Sequence, residues 1–250
     1  MFNVSHIIYI IVSLAVTAGA LTGFHYIKNQ RWKDFVLKTC ALLTFVLHIS
    51  IMWVDFFTTG EAMAFDNILL PVYFCNLCMY LFMVVAFMPN KHGRAFRILA
   101  TFLAYGAFFG GMITLFASEY LMNDPYMESY ETVKSLFSHS VMMLGCLYLF
   151  VGGYVKIGVA NIIPFLGGMI ASLALGIVIN LLYYVFDLGD RNAMYLQGTA
   201  MEGVEFLNGY FIGGLILVLV FAFVVIFEQF AKKKGERWYN KSFKEFLAEI

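Results

Sequence analysis

The chain has 250 residues, of which 62% are AVILMFWYC, 18% aromatic and 13% charged, with mean hydropathy +0.81. Soluble domains hold roughly 45–50% apolar and about 25% charged residues, and their surfaces need more ionised groups than this chain owns. Sixteen Lys and Arg balance sixteen Asp and Glu, so no nucleic-acid partner is marked, and 4 Pro and 4 Cys exclude collagen and a disulfide scaffold.

What remains is an all-α, polytopic membrane protein. Apolar stretches fall near 5–27, 36–57, 68–88, 96–117, 135–155, 158–186 and 207–230. Each approaches the roughly 20 residues that a bilayer core of about 30 Å requires. Helices are the expected form, because they close their own backbone hydrogen bonds in lipid. Residues 1–230 thus read as a compact seven-helix transmembrane domain with short loops and no internal repeat.

The first stretch has no Lys or Arg before its apolar run, which suits a retained helix better than a signal peptide. The second carries Cys40, Thr44, His48 and Asp55 close to one helical face. The third opens on Pro71, followed by Cys75, Asn76 and Cys78. The fourth holds Gly106 and Gly110 at the spacing that lets helices approach closely. The fifth offers Ser135, His139 and Cys146. The sixth has Pro164 near one end, then Ser172, Asn180, Tyr184 and Asp187, and the seventh repeats the glycine spacing at Gly209 and Gly213. The tail, 231–250, begins Lys-Lys-Lys and places Phe243, Phe246, Leu247 and Ile250 at helical spacing, as in a basic amphipathic segment on an anionic cytoplasmic leaflet.

Charge sidedness sets the direction. Lys28, Arg31, Lys33, Lys38, Lys91, Arg94, Arg97, Lys156 and the six basic residues of the tail all fall on one side, leaving only Lys134 and Arg191 on the other. The opposite loops hold Asp55, Glu61, Asp66, Glu119, Asp124, Glu128, Glu131, Asp187, Asp190, Glu202 and Glu205. The Lys/Arg bias places the N-terminus outside and the C-terminus inside. A plasma membrane is the expected location.

Polar side chains at membrane depth cost free energy and are candidates for function. At 1.5 Å per residue, Cys75 lies about 9 Å and His139 about 6 Å below the outer ends of their spans, with Asn180 roughly 10 Å and His48 roughly 14 Å deep. Cys75 and His139 therefore match in depth. A buried thiol is inert unless a base takes its proton, and His139 is the base at hand; the thiolate would then attack an ester carbonyl. The bland reading makes Cys75 a packing residue and His139 a hydrogen-bonded core histidine. Cys75 and Cys78 lack the second ligand pair of a zinc site, and inside a span they lack the exposed helix start of a redox motif. Cys40 lies too near the inner face to bridge Cys75. No cofactor motif occurs: there is no phosphate loop, His-Glu-x-x-His or Gly-x-Ser-x-Gly.

Leu70-Pro71-Val72-Tyr73-Phe74-Cys75-Asn76-Leu77 resembles the Leu-Pro-x-x-x-Cys-x-Leu segment of YwaF-like bacterial integral membrane proteins. Asn192-Ala193-Met194-Tyr195-Leu196 resembles their Asn-Tyr-Met-Tyr-Leu segment, and His139 fits their histidine early in a later helix. Two positions depart: Tyr73 stands where many members carry His, and Ala193 stands for Tyr. The resemblance implies kinship with a eukaryotic transmembrane family regarded as a Cys/His acyltransferase acting on lysophospholipids. It would make Cys75 the nucleophile and His139 the base, with Asn192 and Tyr195 capping the site from outside and Asn76 beside it. Membrane phospholipids or lysophospholipids would be the partners.

Two other readings stand beside this one. A transporter or small-molecule receptor would use His48, Asp55, Asn180 and Asp187 as a polar path. A structural or partner-binding membrane protein would use the compact glycine-rich bundle and perform no chemistry.

Overall fold

The computed structural model describes residues 3–60, 70–116, 124, 126–200 and 204–247, without the side chains of Asp55, Thr59 and Leu247. Glu61, Asp66, Glu119, Glu202 and Ile250 lie outside the described residues. The described helices are α1 (Val4–His25), α2 (Gln30–Thr59), α3 (Phe74–Phe87), α4 (Arg94–Phe116), α5 (Tyr130–Val151), α6 (Ile162–Val185) and α7 (Gly209–Ala231), with short 3-10 turns at Val159–Asn161 and Ala193–Tyr195. A short α8 (Phe243–Leu247) ends the described chain. No strand occurs among the described residues, only an isolated bridge between Thr199 and Asn208.

Six of these helices are long and apolar enough to cross a membrane; α3, with 14 residues, is not. At 1.5 Å per residue it covers about 21 Å of a core about 30 Å thick. Within the expected span at 68–88, residues 70–73 are non-helical and the described helix starts at Phe74. Pro71 lies in a non-helical approach, and Tyr73 takes an extended backbone at the N-cap without a side-chain cap bond. Other helix starts are capped by their own sequence: Asn3 accepts from the N–H of His6, Asn29 from Arg31, Ser129 from Thr132 and Asn208 from Phe211. At the other end of α3, the Lys91 ammonium donates to the carbonyls of Ala86 and Met88 at 2.8 and 3.1 Å.

The bundle is arranged around α4 and α5. Helix α5 packs on α1, α2, α3 and α4, and α4 packs on α3, α6 and α7. One core cluster, including Leu37, Phe82, Phe96, Leu103 and Tyr148, fills the space among α2, α3, α4 and α5. A second, with Phe102, Tyr105, Phe165, Ile216 and Val220, joins α4 to α6 and α7. By contrast, α1, α6 and α7 leave large apolar side chains such as Ile11, Ile170, Val218 and Phe221 exposed, a surface that a bilayer covers.

Polar bonds dock α1 onto the bundle. The His6 imidazole donates through Nε2 to the Leu115 carbonyl at 2.8 Å, and Tyr9 donates to the Leu136 carbonyl at 3.0 Å. Ser140 hydrogen-bonds both Tyr9 and Ser13. Near the C-terminal end of α7 the buried carboxylate of Glu228 accepts from Val159 N at 2.8 Å, Lys232 Nζ at 2.6 Å and Trp238 N at 3.1 Å. That one side chain ties the turn before α6, the end of α7 and the tail together. Instead of one amphipathic helix, residues 234–240 form two 3-10 turns, and Phe246 packs against the second core cluster.

Glycine allows a close approach at Gly145 of α5, where a Cβ would run into the Phe82 ring and lie 2.8 Å from Cys40 Cβ. At Gly106 and Gly110 the missing side chains make room for the Phe74 ring rather than for another backbone. Gly145→Ala should therefore lower the thermal midpoint in detergent, with an overpacking cost of about 1–3 kcal/mol. Gly19→Ala, with open space around it, should leave the midpoint unchanged or raise it.

Candidate functional site

Because α3 starts at Phe74, Cys75 is the second residue of a helix. The first N–H groups of a helix have no intrahelical acceptor, and they carry the positive end of its dipole. The backbone N–H groups of Cys75 and Asn76 are directed at Cys75 Sγ, and the thiol donates to Asn76 Oδ1 at 3.5 Å. Hydropathy places this residue well inside a span; the structure places it at a helix start. All four cysteines are free, and Cys75 alone is partly exposed. Cys40, Cys78 and Cys146 belong to the first core cluster.

His139 is buried one turn below Ser135 on α5, and its Nδ1 donates to the Ser135 carbonyl at 2.7 Å. A carbonyl can only accept, so the proton is on Nδ1 and Nε2 keeps its lone pair. This is the tautomer a general base requires, fixed by a backbone group in place of a carboxylate.

Cys75 and His139 line the same cavity of about 950 Å³, together with Asn76, His48 and Tyr195. Its polar wall comes from α5, through Thr132, Lys134, Ser135 and Ser138. Gly106 and Gly110 of α4, Met169 and Leu173 of α6, and Ile212 and Ile216 of α7 form the apolar wall. Leu166, Ile170 and Leu215 line the cavity and are also exposed on the lipid-facing surface, so it opens sideways between α6 and α7.

The loop after α6 forms the rim. Met194 N donates to the Val72 carbonyl at 2.7 Å, and the Tyr195 ring stacks on Tyr73 at 5.0 Å and 24°. Met194 and Tyr195 both take positive φ, 54° and 55°, which costs non-glycine residues about 1–2 kcal/mol each. Asn180 holds the loop in this shape: its Oδ1 accepts from Ala193 N at 2.8 Å and its Nδ2 donates to the Ala193 carbonyl at 3.3 Å. Asn192 turns inward on the loop, accepting from Gln197 and Gly198 at 3.0 Å.

Of the expected site residues, the fold therefore gathers Cys75, His139, Asn76, His48 and Tyr195 and commits Asn180 and Asn192 to the rim loop. Of the four residues of the transporter reading, His48 lines the cavity. Asp187 is exposed at the end of α6, and neither it nor Asn180 lines the cavity. His48 meets the Tyr80 ring edge-on at 5.8 Å, and the Asp55 side chain lies outside the described residues.

Sequence reasoning missed Tyr73, which holds the rim, and Lys134, which enters the cavity. The signal for Lys134 was present: it is one of two basic residues that break the sidedness of the charges. Outside the membrane, Asp124 ties down the approach to α5 by accepting from the N–H groups of Glu128 and Ser129 at 3.0 and 2.9 Å. Those bonds lower its carboxyl to about 2. Its folded pKa is depressed, so its contribution holds above the unfolded pKa and is lost only as pH falls through about 2.

Asn180→Leu removes both bonds to Ala193. Leaving a buried backbone group unsatisfied costs about 1–3 kcal/mol. Hydrogen exchange at residues 193–196 should accelerate by about tenfold or more, while exchange within α4 and α5 stays unchanged.

A family model described as the TMEM164 family matches residues 1–230. The chain belongs to the TMEM164 family. This is a TMEM164-type membrane family, and the match does not address the YwaF-like name. No curated protein and no solved structure matches the chain.

Proposed function

We propose that this member of the TMEM164 family is a thiol-dependent lipid acyltransferase or hydrolase of a cell membrane. The proposed topology has seven helices traversing or entering the bilayer, with the N-terminus outside and the C-terminus inside. The observation that carries the reading is the single cavity that holds both Cys75, at the start of α3, and His139, with its basic Nε2.

In the proposed reaction a lipid enters from the side between α6 and α7. The thiol of Cys75 turns from Asn76 Oδ1 toward His139 Nε2 and gives up its proton. The thiolate attacks the ester carbonyl, and a carbon–sulfur bond forms. The N–H groups at the start of α3 are the available donors for the tetrahedral oxyanion. The carbon–oxygen bond of the ester then breaks, and the imidazolium returns the proton to the leaving alkoxide. In the second half His139 takes a proton from water or from an acceptor hydroxyl, which attacks the thioester and frees Cys75. A cavity of about 950 Å³ with one apolar wall admits a long acyl group. His48, Asn76 and Tyr195 contact substrate in this scheme.

The test is turnover of a radiolabelled phospholipid or lysophospholipid by the purified chain in nanodiscs. Cys75→Ala should abolish turnover, and His139→Gln should lower it by about 10²- to 10⁴-fold. A hydroxylamine-sensitive acyl adduct should map to the Cys75 peptide. Wild-type turnover in either variant defeats the reading. The topology has its own check: a protease should remove the tail from inverted vesicles and leave it intact in right-side-out ones.

A further inference from the structure

Acyl transfer by Cys75 and His139 leaves one feature of the cavity without a task. Lys134 of α5 is only 9% exposed and lines the cavity. A cation inside a span is expensive unless it faces a polar cavity or a partner. The other basic residue of the outer side, Arg191, is not on the cavity; its guanidinium lies 4.9 Å from the centre of the Tyr183 ring.

The position of Lys134 points to a ligand with a particular shape. It precedes His139 by five residues, about 7.5 Å outward along the helix axis. Its charge acts on both Cys75 and His139. The apolar wall reaches Leu166, one turn from the inner end of α6. The cavity therefore offers a cation outward, a thiol and an imidazole below it, and hydrocarbon-like walls reaching inward. A fatty-acid carboxylate carries its charge on the acyl carbon itself and does not fit that separation. A phosphate joined to an acyl ester through a glycerol unit does.

Two carboxylates also line the cavity, Asp124 and Glu131. Asp124 is committed to Glu128 and Ser129, and Glu131 is exposed three residues outward of Lys134. An ammonium has three N–H donors, so a phosphate oxygen adds to whatever contacts Lys134 already makes.

We propose that Lys134 is the phosphate subsite of this cavity, holding a phosphate group so that an ester carbonyl on the same molecule reaches Cys75. The assignment rests on the acyl-transfer reading for what lies at Cys75, but its test reads occupancy and needs no turnover. In the full chain in nonionic detergent, iodoacetamide alkylation of the Cys75 peptide is followed by mass spectrometry. Three protectants are compared: a lysophospholipid, the monoacylglycerol of the same acyl chain, and inorganic phosphate.

In the wild type the lysophospholipid should protect at about tenfold lower concentration than the monoacylglycerol, the scale of one charge-assisted hydrogen bond. Lys134→Gln should erase that difference while monoacylglycerol protection stays as it was, and Lys134→Arg should keep it. Lys134-dependent competition by inorganic phosphate against the lysophospholipid would mean that the subsite takes free phosphate as well. No such competition would mean that it takes phosphate borne on a lipid.

Equal protection by the two lipids in the wild type overturns the proposal, as does a preference that survives Lys134→Gln. If Lys134→Gln also loses monoacylglycerol protection, its cavity has collapsed, and Lys134→Arg together with the wild-type comparison decides. A chain that shows the phosphate preference but never forms an acyl adduct defeats the acyl-transfer reading alone.

Discussion

A helix whose N-cap offers no side-chain acceptor must find other partners for the backbone at its start, and much of the structure around α3 answers that demand. Helix α3 covers about two-thirds of the hydrocarbon thickness, and its N-cap residue, Tyr73, supplies no side-chain acceptor. Non-helical backbone at such depth is tolerated where protein buries it or where it lines a polar cavity. Both conditions are met. Val72 accepts from Met194 N, Tyr73 is covered by the Tyr195 ring, and the cavity lies beyond Cys75. The strained rim loop, the asparagine that pins it and the polar face of α5 all serve one short helix.

Three thiols, aromatic rings and the close approach at Gly145 fill the first core cluster, and the Glu228 carboxylate binds three chain segments at the end of α7. The cavity, by contrast, is open between α6 and α7, where Leu166, Ile170 and Leu215 are exposed. The His139 tautomer is set by a carbonyl of its own helix, so it depends only on α5 being helical there.

Much of this was legible from the residues alone. The apolar stretches and the sided charges follow from composition and order along the chain. The six long helices lie close to where hydropathy puts them. The seventh differs because hydropathy averages over a window: Leu70, Pro71, Val72 and Tyr73 are as apolar as a helix, so the window cannot register that they are non-helical. Asn180 has the same ambiguity. A buried amide in a span reads equally as a ligand contact or a loop anchor until the loop's position is known.

The sequence by itself determined that the chain belongs in a membrane, which side carries its basic residues and which polar groups share a depth, because these are one-dimensional properties of an apolar helix. Tertiary structure decided which of those groups meet. Rotation of each helix about its axis and the point at which α3 starts are set by packing against neighbours. They bring Cys75 to a helix start and turn His139 and Lys134 into one cavity, and they turn Asn180 and Asn192 away from it toward the loop that forms its rim.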